Sequence, residues 1–300
     1  MQALVDVIKT FARPDQILLN EPMSRHTTFR VGGPADVFFL PETGGQVARA
    51  LEAARQRGVE AHVIGNGSNL IVRDGGVRGL VICLGEGMSA IAREGNTVTA
   101  QAGATLAKVA AFAQAEGLSG LEFASGIPGT LGGGCAMNAG AYGGQLSDCL
   151  IDAEVLLDGQ TRWMAVDQLG MGYRTSLPLR QGGVVLSARF ELKEDDPAAI
   201  LVRMKELNAR RRDKQPLNYP SAGSTFKRPE GHFAGALIEG AGLKGRRVGG
   251  AQVSEKHAGF IVNAGGATAS DVLALIRVVQ DAVLARDGVR LETEVRVIGE

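Results

Sequence analysis

The stretch His62-Val63-Ile64-Gly65-Asn66-Gly67-Ser68-Asn69 places a glycine-rich loop directly after a short predicted strand. Glycines allow successive backbone N–H groups to turn toward one point, which makes an anion-binding nest, and the Asn and Ser side chains add neutral donors. No Gly-Lys-Ser/Thr follows, so this is not a Walker loop, and no helix pattern follows, so it is not a Rossmann fingerprint. The loop is either a pyrophosphate site or an ordinary turn, and spacing alone leaves both open.

Strand and helix signals alternate around this loop. An apolar strand is predicted at 37–40, a helix at 47–54 and another strand at 79–84. Asp158-Gly159 predicts the tight turn of a hairpin spanning 155–163. The other predicted elements are strands at 97–102, 184–192, 260–262 and 290–298, and helices at 106–113, 200–212 and 270–283, the last capped by Ser270. No parallel β-α repeat emerges, so the fold class is α+β.

Composition limits the possible functions. The 300 residues suffice for two domains or three small lobes. Lys plus Arg equals Asp plus Glu, at 32 each, which argues against a general nucleic-acid binder. No signal peptide is expected at residues 1–16, because Asp6 and Lys9 interrupt the apolar stretch, and the longest apolar runs, such as Leu80–Leu84, are too short to span a bilayer. The three cysteines, Cys83, Cys135 and Cys149, fit neither a zinc site nor a disulfide framework and indicate reduced thiols in the cytosol.

A second glycine-rich region is denser than the first. Residues 126–134 read GIPGTLGGG and residues 138–144 read NAGAYGG. So many glycines suggest close backbone approach to a large flat ligand, and the alternative is a mobile linker. Met137 and Leu131 would be unusual in a linker.

Polar residues taken singly predict little. Ser224 lies in a turn context without the G-x-S-x-G pattern of a hydrolase, and Glu294 and Arg174 alone read as solvated charges. Arg210–Arg212 read as a helix end or a phosphate site. No metal is predicted, because no pair among the four histidines has metal-ligand spacing: His26, His62, His232 and His257.

Seven short motifs follow one another along the chain. They are Thr27–Pro34 (TTFRVGGP), Gly65–Leu70 (GNGSNL), Gly126–Gly129 (GIPG), Met137–Ala141 (MNAGA), Gly172–Arg174 (GYR), Ala222–Phe226 (AGSTF) and Glu294–Arg296 (EVR). Each is weak alone, but their order and wording, from about Met23 to Gly299, resemble the UDP-N-acetylenolpyruvoylglucosamine reductase (MurB) family.

The resemblance implies an FAD-binding part of the vanillyl-alcohol-oxidase/PCMH type, made of two α+β lobes, and a C-terminal α+β substrate domain. The expected division is residues 1–84 and 85–196 for the two lobes and 197–300 for the substrate domain, with Glu194–Pro197 as a linker. FAD would be noncovalent. The residues expected to hold it are Val31, Gly32, Gly33, Pro34, Gly65, Asn66, Gly67, Ser68, Asn69, Leu70, Gly126, Ile127, Pro128, Gly129, Asn138, Ala139 and Gly140.

The implied reaction has two halves. NADPH reduces FAD, and reduced FAD then gives a hydride to the methylene carbon of an enolpyruvyl ether on a UDP-sugar, yielding UDP-N-acetylmuramate for peptidoglycan. Negative charge develops next to the substrate carboxylate and requires stabilisation and then protonation. Matching positions assign stabilisation to Arg174 and Glu294 and proton delivery to Ser224. A raised pKa is expected for Glu294, because it would have to donate beside another carboxylate.

The chain resembles the shorter class of the family. An inserted loop with a substrate-covering tyrosine has no room between Pro229 and Glu255. The residues expected to bind the UDP part are Arg211, Lys214 and Lys227. A cytoplasmic monomer, without membrane or nucleic-acid partners, is expected.

Three other functions account for parts of the sequence. Another flavoprotein of the same fold, such as an oxidase, needs no set of Ser224, Arg174 and Glu294. A non-catalytic flavin or nucleotide-sugar binder would keep the Gly65 loop without Ser224 or Glu294. A serine hydrolase lacks a plausible base. The joint presence of the three residues in their motifs favours the reductase.

Overall fold

The computed structural model describes residues 1–300, which form two compact units. Unit 1 comprises Met1–Leu18, Val37–Asn66 and Leu80–Arg211, and unit 2 comprises Leu19–Asp36, Gly67–Gly79 and Arg212–Glu300. Neither unit is a continuous stretch of sequence, because the chain passes from one to the other five times. The division into residues 1–84, 85–196 and 197–300 stays a prediction.

Helices and strands are mixed throughout the chain. The helices are α1 (Gln2–Ile8), α2 (Gly44–Gln56), α3 (Leu106–Ala115), α4 (Leu131–Ala136), α5 (Leu177–Gln181), α6 (Pro197–Lys214), α7 (Ala234–Gly240) and α8 (Ala269–Asp287). The strands are β1 (Ile17–Pro22), β2 (Pro34–Phe39), β3 (Ala61–Ile64), β4 (Leu70–Val72), β5 (Val77–Cys83), β6 (Ile91–Glu94), β7 (Thr97–Gln101), β8 (Leu118–Ser119), β9 (Gly140–Ala141), β10 (Gly144–Gln145), β11 (Leu150–Leu157), β12 (Gln160–Ala165), β13 (Val184–Glu191), β14 (Lys193–Glu194), β15 (Arg247–Val248), β16 (Ala251–Val253), β17 (Ile261–Asn263) and β18 (Arg296–Ile298).

Unit 1 contains a five-stranded antiparallel sheet with the order β12-β11-β13-β7-β6. The predicted hairpin is confirmed: β11 and β12 pair up to Leu157 and Gln160, and both turn residues adopt left-handed backbone, with φ 52° at Asp158 and 75° at Gly159. That is the geometry a two-residue hairpin turn requires. Helices α3 and α4 contribute apolar side chains such as Leu106 and Leu131 to the same core.

A second core of unit 1 surrounds α2. Thr43 caps this helix, because its hydroxyl accepts the N–H of Gln46 at 3.1 Å, and Val47 and Ala50 are fully buried. The predicted strand–helix–strand order is confirmed here, since β3 runs parallel to β5 with Ala61 opposite Leu80.

The predicted linker at Glu194–Pro197 is part of unit 1. Lys193 and Glu194 pair as β14 with β8. Asp196 then caps α6, because its carboxylate accepts the N–H groups of Ala198 at 3.1 Å and Ala199 at 3.3 Å. The interpretation as a linker was wrong, because Glu194 belongs to a strand pair and Asp196 caps a helix of the same unit.

Unit 2 has its core between α8 and the antiparallel sheet β15-β16-β17. The predicted cap at Ser270 is wrong: Thr268 is the N-cap, forming a capping box with Asp271. The predicted strand 290–298 is shorter than expected. Only Arg296–Ile298 pair, parallel to β4, while Thr293 forms a single bridge to Phe226.

Candidate functional site

Two of the predicted FAD-binding residues in the first glycine loop, Gly65 and Asn66, belong to unit 1, and the rest of the loop belongs to unit 2. Gly67 has φ 58°, and a Cβ there would lie 2.1 Å from the carbonyl oxygen of His26. Only glycine tolerates both the left-handed backbone and this approach. The backbone conformation of the loop is therefore fixed, and Gly67 is required for close packing against the carbonyl of His26.

The predicted segment Val31–Pro34 is fixed within unit 2. Val31 is buried, and its carbonyl accepts the hydroxyl of Thr27 at 2.9 Å. The N–H of Gly33 donates to the carbonyl of Arg73 at 3.0 Å. The segment is thus held rigidly beside β4, the strand that follows the glycine loop.

The second glycine-rich region contains a helix. Residues 131–136 form α4, and Cβ atoms at Gly132 and Gly134 would lie 2.8 Å from Ala102 Cβ and 3.0 Å from Leu106 Cδ1. These glycines allow a short helix to pack closely in the core. The mobile-linker alternative is wrong, and the glycine density at these two positions reflects helix packing, so a flat ligand is not needed to explain it.

Asn138 is buried, and its side chain bonds to protein groups. Its amide nitrogen donates to Gln145 Oε1 and Ser147 Oγ, both at 3.2 Å, and its amide oxygen accepts the N–H of Ser147 at 3.1 Å. This side chain therefore organises the 138–147 turn. Any contact of residue 138 with FAD would therefore involve its backbone groups, and the assignment of residues 138–140 to FAD stays a prediction.

Arg174 lies in unit 1 in a strained turn. Its backbone is left-handed, with φ 56°, between Gly172 and Thr175, which exchange backbone hydrogen bonds. Its guanidinium donates to the carbonyl of Gly140 at 3.4 Å and lies 5.1 Å from the ring centroid of Tyr173. The structure thus brings Arg174 to Gly140, a predicted FAD residue. Left-handed backbone at a non-glycine residue is uncommon and is often found at functional sites.

Ser224 and Glu294 are brought together within unit 2. The N–H of Glu294 donates to the carbonyl of Thr225 at 2.8 Å, and the carbonyl of Glu294 accepts the side-chain amide of Asn69 at 3.0 Å. Thr225 is fully buried, while Ser224 next to it is exposed. Backbone hydrogen bonds therefore place the exposed residue Ser224 near Glu294 and Asn69.

The three basic residues predicted to bind UDP have different surroundings. Lys214 is exposed at the end of α6, and Lys227 pairs with Glu292 at 3.1 Å. Arg211 is half-buried, its Nε is fully buried without a hydrogen-bond partner, and burial lowers its pKa. Its Cδ would lie 3.2 Å from a Cβ on Gly126.

Asn208 is a neighbour of this arginine that sequence analysis missed. Its side chain donates to Ser125 Oγ at 3.1 Å, and its Oδ1 would lie 2.4 Å from a Cβ on Gly126. Residues 208 and 211 share a helix face at i, i+3 spacing, which was the available signal.

These surroundings test whether the residues fit FAD. A buried guanidinium nitrogen without a partner is costly unless an anion meets it. Arg211 supplies such a donor next to the predicted FAD segment Gly126–Gly129, and phosphate oxygens are the acceptors that arginine suits best. Arg211 therefore fits an anionic group, such as a phosphate of FAD, beside this segment.

Comparison with known families agrees with this chemistry. Residues 35–164 match the family described as "FAD binding domain", and residues 215–298 match "UDP-N-acetylenolpyruvoylglucosamine reductase, C-terminal domain". No helix in the structure is both long enough and apolar enough to cross a membrane.

Individual relatives cover almost the whole chain. A UDP-N-acetylenolpyruvoylglucosamine reductase from Alkaliphilus oremlandii is 52% identical over 287 residues, covering 95% of this chain and 94% of that protein. The same-named protein of Latilactobacillus sakei is 51% identical over 301 residues, with 99% of each chain covered. The crystal structure of MurB from Thermus caldophilus superimposes with a TM-score of 0.81 at 40% identity, covering 94% of this chain and 98% of that one.

These matches confirm the predicted α+β fold, with an FAD-binding domain and a C-terminal domain, and the predicted cofactor FAD. The chain belongs to the UDP-N-acetylenolpyruvoylglucosamine reductase (MurB) family of FAD-dependent oxidoreductases.

Proposed function

We propose that this protein reduces UDP-N-acetylglucosamine enolpyruvate to UDP-N-acetylmuramate for peptidoglycan synthesis, with NADPH as hydride donor. Relatives that carry the reductase name at about half identity over nearly the full chain support this reaction. The observation that carries the site assignment is the exposed Ser224, held by the bond from the Glu294 N–H to the Thr225 carbonyl. FAD, when bound, would supply the hydride-transfer chemistry that connects NADPH to the methylene carbon of the substrate.

The protein's own residues then have three tasks. Arg174 carries a permanent positive charge, which suits the negative charge that develops beside the substrate carboxylate. Glu294 supports the same carboxylate if it carries a proton, and the protonation of Glu294 stays a prediction. The Ser224 hydroxyl gives its proton to the adjacent carbon, because an enolate is basic enough to take a proton from an alcohol.

The residues proposed to bind FAD are those of the motif match. The loop 65–70 would supply backbone donors to the pyrophosphate. Val31–Pro34, Gly126–Gly129 and 138–140 would line the rest of the cofactor. Arg211, first predicted to bind UDP, fits a cofactor phosphate instead, because its unpartnered nitrogen lies beside Gly126. Lys214 and Lys227 remain proposed contacts for the substrate diphosphate.

Ser224→Ala separates the two half-reactions. We expect normal flavin bleaching by NADPH under anaerobic conditions, but return of the flavin absorbance at least about 100-fold slower on adding the enolpyruvyl sugar, because the proton donor is gone. Stopped-flow absorbance measures both steps. The matched control is Ser221→Ala, three residues earlier, where the backbone carbonyl, not the hydroxyl, accepts the bond from Thr28.

Either of two results would contradict the assignment. Normal reoxidation in Ser224→Ala would remove Ser224 as the proton donor. A wild-type flavin that bleaches but never recovers with the enolpyruvyl sugar would favour a different flavin oxidoreductase.

We also propose that the protein is a cytoplasmic monomer. Its three cysteines are free, and burial raises the pKa of Cys83 to about 11 and of Cys135 and Cys149 to about 12. The thiols therefore stay protonated and react slowly. The absence of a disulfide among the three cysteines is what supports a reducing compartment. Light scattering coupled to size-exclusion chromatography tests the monomer, and a mass of twice 31.3 kDa would contradict it.

A further inference from the structure

Phe233 in unit 2 presents an aromatic ring to solvent. The residue is 63% exposed, more than any other large hydrophobic residue of the chain. The guanidinium carbon of Arg228 lies 4.0 Å from the centroid of its ring. An apolar ring in water is unfavourable, while a guanidinium placed over the ring orients it through a cation–π contact. Arg228 therefore holds the Phe233 ring in one orientation, and part of the ring stays exposed to solvent.

The backbone around this ring is well held. Lys227 donates its N–H to the Glu292 carbonyl at 2.9 Å, and His232 closes a turn onto Pro229 at 3.2 Å. The carbonyl of Phe233 accepts the N–H groups of Ala236 and Leu237 at 3.0 and 3.1 Å. Fixing the backbone in advance lowers the entropic cost of binding a ligand to the side chain.

A short path of contacts connects this ring to Ser224. The residue after Ser224, Thr225, donates its N–H to the Gly259 carbonyl at 2.9 Å. The backbones of Gly259 and Gly235 lie close together, because a Cβ on Gly235 would lie 3.5 Å from the Gly259 nitrogen. Phe233 is two residues before Gly235. The exposed ring and the exposed serine hydroxyl therefore belong to neighbouring segments of unit 2.

We propose that Phe233 and Arg228 form the subsite for the pyrimidine base of the UDP-sugar, an inference that rests on the proposed function. The base stacks on the exposed part of the Phe233 ring, because every nucleobase has a π face that aromatic side chains bind. Arg228 orients the ring and adds positive charge near the diphosphate. A UDP-sugar separates its base from its reacting sugar by a ribose and two phosphates, so the base belongs at a distance from Ser224.

The surroundings of the ring favour a small ligand over a protein partner. The three residues before it, Glu230, Gly231 and His232, are exposed and not apolar. A protein interface of ordinary size buries roughly 800 Å² on each partner around an apolar centre. One ring in a polar and glycine-containing segment is too small for that, but it matches the face of one base.

Phe233→Ala in the FAD-loaded protein tests the subsite with UDP as the probe. Isothermal titration should show UDP binding weakened about tenfold or more, because one base–aromatic stack is lost. Phe233→Trp should retain UDP affinity. Binding of inorganic pyrophosphate, which has no base, should not change. In turnover, KM for the enolpyruvyl sugar should rise while kcat and flavin bleaching by NADPH stay within about twofold, since the ring is remote from the reacting atoms.

Trp163→Ala is the matched control. Trp163 is 43% exposed in unit 1, and the Arg189 guanidinium lies 4.5 Å from its ring centroid. This pair resembles Phe233 and Arg228, but it is not proposed to bind a base. UDP affinity should be unchanged in this variant. The melting temperature of each variant reports whether it folds.

The outcomes separate the two proposals. A Phe233→Ala protein that binds UDP like the wild type overturns the subsite and leaves the reductase intact. Equal weakening of UDP and pyrophosphate also overturns it, because the effect then comes from the diphosphate. A wild-type protein that neither binds UDP nor recovers its flavin absorbance with the enolpyruvyl sugar overturns both.

Discussion

Two charged side chains, one in each unit, show opposite relations between burial and bonding. Asp74 in unit 2 is exposed, yet its carboxylate accepts the N–H of Ala269 at 2.8 Å and the N–H and hydroxyl of Ser270 at 2.9 and 2.5 Å. Arg211 in unit 1 is half-buried, yet its Nε has no partner. A folded protein by itself favours the reverse, since a buried polar group needs a partner more than an exposed one.

The difference distinguishes a structural charge from a ligand-binding one. Asp74 is satisfied by the first turn of α8, where a negative charge also meets the positive end of the helix dipole. Arg211 has its partner missing, and a bound anion would supply it. Removing each charge should therefore affect different quantities: stability for Asp74 and ligand affinity for Arg211.

Arg211→Ala should give the largest effect. A hydrogen bond to a charged group contributes about 1.5–3 kcal/mol, so the FAD dissociation constant should rise about 10- to 100-fold. The FAD-free protein should be no less stable, because a desolvated charge is removed. Fluorescence titration with FAD and thermal unfolding measure the two. Arg210→Ala, the exposed neighbour on α6, should change neither. Unchanged FAD affinity with a raised KM for the UDP-sugar would instead support the prediction from sequence that Arg211 binds the UDP part of the substrate.

Asp74→Ala should reduce stability without changing FAD affinity. Loss of a capping carboxylate costs about 1–2 kcal/mol of unfolding free energy, which urea titration at pH 7 measures. Asp281→Ala, on the exposed side of the same helix, is the control and should leave stability nearly unchanged. If Asp74→Ala changed FAD affinity and left stability unchanged, the contrast between Asp74 and Arg211 would be wrong.

The pH dependence of that stability difference should be smaller but has a definite sign. Burial raises the pKa of Asp74, but the bonds from Ser270 and Ala269 outweigh it, so the pKa lies below its ordinary value. The unfolded chain then binds the proton more readily, and the stabilisation is present above about pH 4 and lost as pH falls through the lowered pKa. The difference between wild type and Asp74→Ala should shrink between pH 7 and pH 3. A difference that grows in acid would mean that the carboxylate is not the stabilising species.

Sequence patterns predicted elements whose determinants are local. The hairpin at Asp158-Gly159 and the helix at 47–54 were found because turn chemistry and apolar spacing act within a few residues. The strand at 290–298 was overextended because alternation shows which side chains are buried, not whether a partner strand is present. Thr293 finds only a single bridge, and ladder pairing with β4 starts at Arg296.

The motif match predicted the residues of the candidate site. The chemistry of each residue taken singly did not predict them. Ser224 and Glu294 are predicted individually as bland polar residues, and their proximity depends on a bridge between segments far apart in sequence. The three arginines 210–212 look equivalent in sequence. Only the contact with Gly126, which is distant in the chain, distinguishes Arg211 from its neighbours.

The pairing of β18 with β4 also determines when the protein can finish folding. The strand Leu70–Val72 obtains its parallel partner only when Arg296–Ile298 have left the ribosome. Contacts of such long sequence separation close slowly, because chain entropy is lost before any pairing energy is gained. During synthesis the exposed edge of β4 is open to chaperones and to aggregation. Deleting Arg296–Ile298 should therefore lower the yield of folded protein, because β4 then has no parallel partner.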